Sequence, residues 1–242
     1  MAGARSAILT YHSIDPSGSV ISIHPDLFRR QMETLAGRRV PVVRLGDIRT
    51  TPGAVALTFD DAFRNFAAEA LPVLKRFGFR ATVFVVSGHA GGRNNWSSQP
   101  GGIPLLDVMA WDELRAAARN GIELGAHSVH HADLAMLAAE ETERELLDSK
   151  AAIEQHTGSL AASLAYPYGS STAAVRALAA RHFQAACGTT LDFVTPASDP
   201  FDLPRLDVYY LKNLARFEAA VSGDGGAYIR LRRWLRAVRG IV

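Results

Sequence analysis

The chain of 242 residues contains one cysteine, Cys187, so it can form neither an internal disulfide nor a thiolate-rich metal site. Stability has to come from packing, and the lone thiol reads as a small core residue. No segment approaches the roughly 20 apolar residues that a membrane-spanning helix needs. Neither sign of charge dominates: the formal net charge is +2, which gives the body of the protein no electrostatic reason to bind nucleic acid. No Gly-rich phosphate loop follows any apolar run, which argues against a nucleotide cofactor. The first residues carry one arginine and only a short apolar run, well below the roughly 7–15 apolar residues of a secretory leader. The expected location is therefore cytoplasmic.

What is present is an alternation of short apolar runs and helical patterns. The runs 7–10, 40–43, 54–59, 81–86, 122–125, 163–165 and 184–186 read as buried parallel strands. Between them, 25–37, 65–77, 111–120, 138–157 and 172–182 have helical spacing. This order predicts an α/β fold, either a barrel or an open doubly wound sheet, in a single domain over residues 1–210. The longest helical pattern sets Leu146, Leu147 and Ile153 against Glu140, Glu141, Glu143 and Glu145, as expected of an outer-layer helix. Residues 87–107 contain five glycines and two prolines, and so long a loop inside a compact domain is expected to border a site. A basic helical tail over 211–242 places Leu231, Trp234, Leu235 and Val238 at helical spacing among five arginines, the pattern of a peripheral membrane or protein contact or of a helix packed back on the body.

Two clusters carry chemistry. The strand ending in Leu57-Thr58-Phe59 is followed by the adjacent carboxylates Asp60 and Asp61, and ends of parallel strands are where α/β proteins place their sites. Alone, such a pair also fits a helix N-cap. The strand 122–125 is followed by His127, Ser128 and His131. His127 and His131 with an oxygen from Asp61 make a three-ligand metal site with an open position. Donor softness favours zinc, although cobalt, nickel or iron(II) also suit two histidines and an aspartate. His130 reads as a spacer, and Ser128 as either a turn residue or a hydrogen-bond donor near the site.

Thr58-Phe59-Asp60-Asp61 together with His127-Ser128-x-x-His131 resembles the first two motifs of the polysaccharide deacetylases, carbohydrate esterase family four. The resemblance implies a distorted (β/α)7-type barrel. It also implies Asp60 as catalytic base and Asp61, His127 and His131 as metal ligands. The family's third motif is Arg-x-Pro-Tyr or Arg-x-Pro-Phe, whereas this chain has Ala165-Tyr166-Pro167-Tyr168. The Tyr168 backbone N–H is thus expected to help hold the oxyanion, while the arginine that steadies the base is missing from that position. Arg205 is the candidate substitute. The family's late Leu-x-His, source of the general acid, is also missing. Ile8-Leu9-Thr10-Tyr11-His12 at the other end resembles it, as in circularly permuted members such as the poly-N-acetylglucosamine deacetylases, which makes His12 the expected acid.

The reaction so implied is metal-dependent removal of an acetyl group, N-acetyl before O-acetyl, from a sugar or polysaccharide. Trp96, Trp111 and Tyr166 are candidates for an aromatic wall against a sugar ring, core packing being the stronger reading for Trp111, which begins a helical pattern. Two alternatives stand beside it. A barrel glycosidase needs carboxylates about 5–9.5 Å apart across the scissile bond, which adjacent aspartates suit poorly. A non-catalytic sugar-binding or scaffold protein on the same fold draws its support from the missing third-motif arginine.

Overall fold

The structure, a computed structural model, describes residues 5–239. Seven parallel strands form its sheet: β1 (Ala7–Tyr11), β4 (Val55–Phe59), β5 (Thr82–Val85), β6 (Glu123–Ala126), β7 (Ser163–Ala165), β8 (Ala185–Cys187) and β9 (Leu206–Asp207), in the order β8-β7-β6-β5-β4-β1-β9. Two short strands, β2 (Ser13–Ile14) and β3 (Ser22–Ile23), pair separately. The sheet curls until its edges nearly meet. Leu203, three residues before β9, exchanges backbone hydrogen bonds with β8 through Gly188 N to Leu203 O (3.0 Å) and Leu203 N to Ala186 O (2.9 Å). The result is a distorted, incompletely closed barrel.

Side-chain alternation explains the curl. Leu9, Leu57, Val83, Leu124, Leu164 and Ala186 point outward into the cluster shared with the helices, while Ile8, Ala56, Phe84, Ala165, Ala185 and Cys187 point inward. The inward set is mostly small, and Phe84 fills the space. At Gly125 an added Cβ would lie 2.6 Å from the Phe84 ring, so glycine is required for this ring to sit inside.

Helices α1 (Pro25–Gly37), α2 (Leu71–Phe77), α3 (Trp111–Arg119), α4 (Ala139–Thr157) and α5 (Ala173–His182) cover the outside. In α1 a proline opens the helix, the His24 side chain accepts from the Asp26 N–H, and Phe28, Gln31, Met32 and Leu35 form the buried stripe. The region 65–77, read as one helix, is instead a π-helical turn (Phe66–Ala70) followed by α2. Pro72 has no N–H to return to Ala68, and the ladder loosens upstream of it.

Residues 40–43 do not form a strand. Only an isolated bridge joins Val42 to Val55, since Pro41 interrupts the donors a ladder would need. The face assigned to α4 is also corrected: Leu147 is exposed, while Glu145 is buried. Beyond residue 210, α6 (Leu214–Val221) packs on α1 through Phe217, Ala220 and Val221, and α7 (Gly226–Arg239) anchors Ile229 in the same core. Residues 240–242, the end of the expected tail helix, lie outside the described residues. No helix of the described residues is long and apolar enough to cross a membrane.

Candidate active site

The C-terminal ends of the strands meet at one cavity of about 540 Å³, lined among others by His12, Asp60, Asp61, His127, His131, Tyr168 and Arg205. Strand phase explains the aim of three of these residues. His12 continues the inward series Ile8 and Thr10, Asp60 continues Ala56 and Thr58, and His127 continues Gly125. Asp61 is out of phase and would face outward. Its backbone adopts the left-handed conformation (φ +69°), and its carboxylate enters the cavity too. Ala62, Ser128, His131 and Tyr168 also have positive φ. Such conformations cost of order 1–3 kcal/mol each and persist where surrounding packing imposes them. Of the six non-glycine residues with positive φ among the described residues, all but Arg39 belong to the strand-end turns around this cavity.

Asp61 Oδ1 lies 3.6 Å from His127 Nε2 and 3.4 Å from His131 Nε2. These three buried residues are the group of metal-ligating side chains found among the described residues, with their donor atoms all within 4.8 Å of one another. Their chemistry fits a divalent metal. His127 Nδ1 bonds the Ala165 carbonyl at 2.7 Å, which places the ring proton on Nδ1 and leaves the Nε2 lone pair toward Asp61. Burial pushes the His127 imidazole down to about 4, so the ring is neutral. Asp61 Oδ1 is buried without a hydrogen bond, an expensive state that a cation would relieve.

Asp60 is held differently. Arg205 donates to both of its oxygens, Nη1 to Oδ1 at 2.7 Å and Nη2 to Oδ2 at 2.8 Å, and its Nε donates to the Gly188 carbonyl. Burial alone would raise the Asp60 carboxyl. The Arg205 guanidinium, helped by the neighbouring imidazoles, outweighs it and keeps the group well below the usual carboxylate range. His12 Nε2 stands 3.8 Å from Asp60 Oδ2 and is partly open to solvent.

Tyr168 sits in the turn after β7. Its ring packs edge-on against His131, with centroids 4.7 Å apart, and its hydroxyl donates to Ser98. The Tyr168 N–H makes no hydrogen bond within the described residues. Gly169 is obligatory behind it: φ is +71°, and a Cβ would fall 2.1 Å from the Thr189 hydroxyl.

Other sequence expectations resolve in simple ways. His130 points away from the cavity to Glu145 (2.6 Å), and the Ser128 hydroxyl accepts from the Ala132 N–H, a turn role. Trp96, Gln99, Pro100 and Ile103 of the glycine-rich stretch line the cavity, and the Trp96 ring stacks on His131 at 4.4 Å. Tyr166 borders the cavity, but its side chain is wholly buried and its hydroxyl donates to the Phe201 carbonyl, so it is a core residue and not a sugar wall. Trp111 stacks on His156 elsewhere. Sequence reasoning missed Glu145, which accepts from the backbone N–H groups of Val129 and His130 at 2.8 and 3.0 Å and so clamps the turn that carries His131. It also missed Tyr209, Tyr210 and Arg236, which close the cavity on one side.

A curled parallel α/β sheet with an Asp–His–His group and an arginine-held aspartate at its strand ends defines the class. The family model for polysaccharide deacetylase matches residues 47–185, more than half of the chain, and the chain belongs to that family. The match includes Asp60, Asp61, His127, His131 and Tyr168 but not His12 or Arg205.

YxkH of Bacillus subtilis (strain 168) is 25% identical over 174 residues, which cover 69% of this chain and 57% of that protein. A chitin deacetylase of Colletotrichum lindemuthianum is 36% identical over 106 residues, 43% of this chain and 38% of that protein. The chain thus spans little more than half the length of the one relative and less than half of the other. Among solved structures, the deacetylase PplD of Streptococcus pyogenes in complex with acetate superposes with a TM-score of 0.73 at 22% identity, over 85% of this chain and 93% of that one. IcaB from Ammonifex degensii gives a TM-score of 0.73 at 19% identity, over 93% and 98%. These likenesses establish the fold.

Proposed function

We propose that this protein is a metal-dependent hydrolase that removes an acetyl group, foremost an N-acetyl group, from a saccharide. The observation that carries the proposal is Asp60, locked by Arg205 and facing the same cavity as the Asp61–His127–His131 group, in a chain of the polysaccharide deacetylase family. Chitin deacetylases among the relatives support an N-acetylated saccharide as substrate.

Held by Asp61, His127 and His131, a divalent metal, for which the donor set favours zinc, supplies Lewis-acid polarisation and lowers the pKa of water. Asp60, ionised throughout the physiological range, accepts the proton of the attacking water. Arg205 fixes both carboxylate oxygens, so the accepting lone pair is already oriented. The unpartnered Tyr168 N–H donates to the carbonyl oxygen as charge develops on it, and one such donor is worth about 3–4 kcal/mol in the transition state. His12 delivers a proton to the departing amine. The C–N bond breaks, and acetate and a free amine leave. Tyr168, Tyr209 and Tyr210, which line the cavity and are at least partly exposed, provide an aromatic surface for the sugar ring. Beside the saccharide, α7 makes a peripheral contact through its outer face.

Arg205 against Asp60 favours this reading over a binding-only protein, whose support was the arginine absent from position 165. The test is acetate release from N-acetylglucosamine oligomers by the zinc-supplemented protein, the chelated protein and Asp60→Ala. Release by the first alone is expected. No release by any preparation, with zinc bound at one equivalent, would overturn N-deacetylation of these oligomers and shift the search to O-acetyl and lipid-linked substrates.

A further inference from the structure

Helix α7 has two unlike faces. Its inner face holds Ile229 in the core and lays the Arg232 guanidinium over the Tyr210 ring at 4.4 Å. Arg236, also over Tyr210, donates to the Thr189 carbonyl and lines the cavity. The outer face is apolar and uncovered: Leu231, Trp234 and Val238 are 52%, 60% and 64% exposed. At 100° per residue these three fall within an arc of about 60°. Nine large apolar side chains are exposed among the described residues, and three of them share this stripe of two turns while the other six are spread over other segments. Single exposed apolar residues need no explanation, but a stripe does.

Charge selects the occupant. The fourteen residues of α7 contain five arginines and no acid, so the chain's net +2 leaves −3 for all the rest. Arg230 and Arg233 are exposed beside the stripe, and among the described residues only Arg233 of the two meets a carboxylate, that of Asp192. A tryptophan and aliphatic residues flanked by arginines match the boundary of a bilayer, where the indole sits at headgroup level and guanidinium groups bond phosphates. We infer that α7 docks this protein on an anionic lipid surface, lying in the interface plane with Leu231, Trp234 and Val238 inserted. Because the opposite side of the same helix walls the cavity, docking holds the site within about one helix diameter, roughly 10–12 Å, of that surface.

The test is co-sedimentation of the full chain with phosphatidylcholine vesicles that contain or lack phosphatidylglycerol. The fluorescence of Trp234, the one strongly exposed tryptophan, provides a second readout. Binding to the anionic vesicles alone, a blue shift on binding, and at least a tenfold weaker association for Leu231→Ser/Trp234→Ser with an unchanged melting temperature are expected. Equal binding by that variant, or no binding of the wild-type chain to anionic vesicles, would overturn the inference. So would a concentration-dependent dimer in lipid-free buffer that the same variant abolishes, since the stripe would then cover a second copy. Acetate release in vesicle-free solution is read separately, so failure here and failure of the deacetylase reading are distinguishable.

Discussion

Arg205 and Asp60 are 145 residues apart in sequence and meet as a buried two-point ion pair, the guanidinium spanning both carboxylate oxygens. Removing the cation would strand a buried carboxylate, a change that typically costs about 3–5 kcal/mol. Arg205→Ala is therefore expected to lower unfolding stability by that order and to abolish turnover. Arg205→Lys restores the charge without the fork. It should recover most of the stability, measured by urea denaturation, while kcat stays at least tenfold low. Equal kcat for Arg205→Lys and wild type would show that orientation of Asp60 is immaterial.

Chelation should remove activity and also loosen the fold, because a ligand that binds only the native state stabilises it by mass action, about 2.7 kcal/mol at a hundredfold excess over Kd. Zinc should raise the melting temperature of the chelated protein measurably. The rise should vanish in Asp61→Ala and His127→Ala. A zinc shift that survives both substitutions would place the metal elsewhere.

Glu145 binds the turn between the two histidines rather than any reacting group. Glu145→Ala frees two backbone N–H groups and the His130 ring, so His131 loses its fixed aim. Metal affinity is expected to fall about 10–100-fold, seen in competition with a chelating dye, with turnover at saturating zinc largely restored. Glu145→Gln, which keeps one acceptor, should lie between the two. Unchanged zinc affinity in Glu145→Ala would make the clamp purely structural.

Cys187 points into the barrel, where burial pushes its thiol up to about 12. A raised thiol pKa means a protonated and unreactive sulfur at neutral pH. The native protein should resist a thiol-specific disulfide reagent at pH 8 and release one equivalent only on unfolding. Rapid reaction in native buffer would mean that the barrel interior opens.

Much of the fold was legible because buried parallel strands are apolar runs: six of the seven expected strands, all but 40–43, coincide closely with observed ones. The run 40–43 failed on Pro41, and β9, two residues long, is too short to leave a pattern. The clusters Asp60-Asp61 and His127-x-x-x-His131 were visible because each is local in sequence. The barrel phase and the left-handed turn at Asp61 then bring the two clusters together. Glu145 was hidden because periodicity places a glutamate on the solvated side of α4, and only the tertiary position of the 128–131 turn makes its burial worthwhile. Tyr209, Tyr210 and Arg236 carried no local signal, since their shared role arises where α7 folds back over the segment after β9.

The pairing of β1 with both β4 and β9 also sets an order in time. A chain emerging from the ribosome presents Asp60 long before Arg205, and synthesis at about 5–20 residues per second separates the two by roughly 7–30 s. During that interval the strands up to β8 can associate, but the aspartate at their rim lacks its guanidinium partner and the barrel has no closing edge. The cleft therefore becomes competent only once β9 and the residues leading into it have been made, and a nascent chain or one cleaved before Arg205 carries the metal ligands without an oriented base.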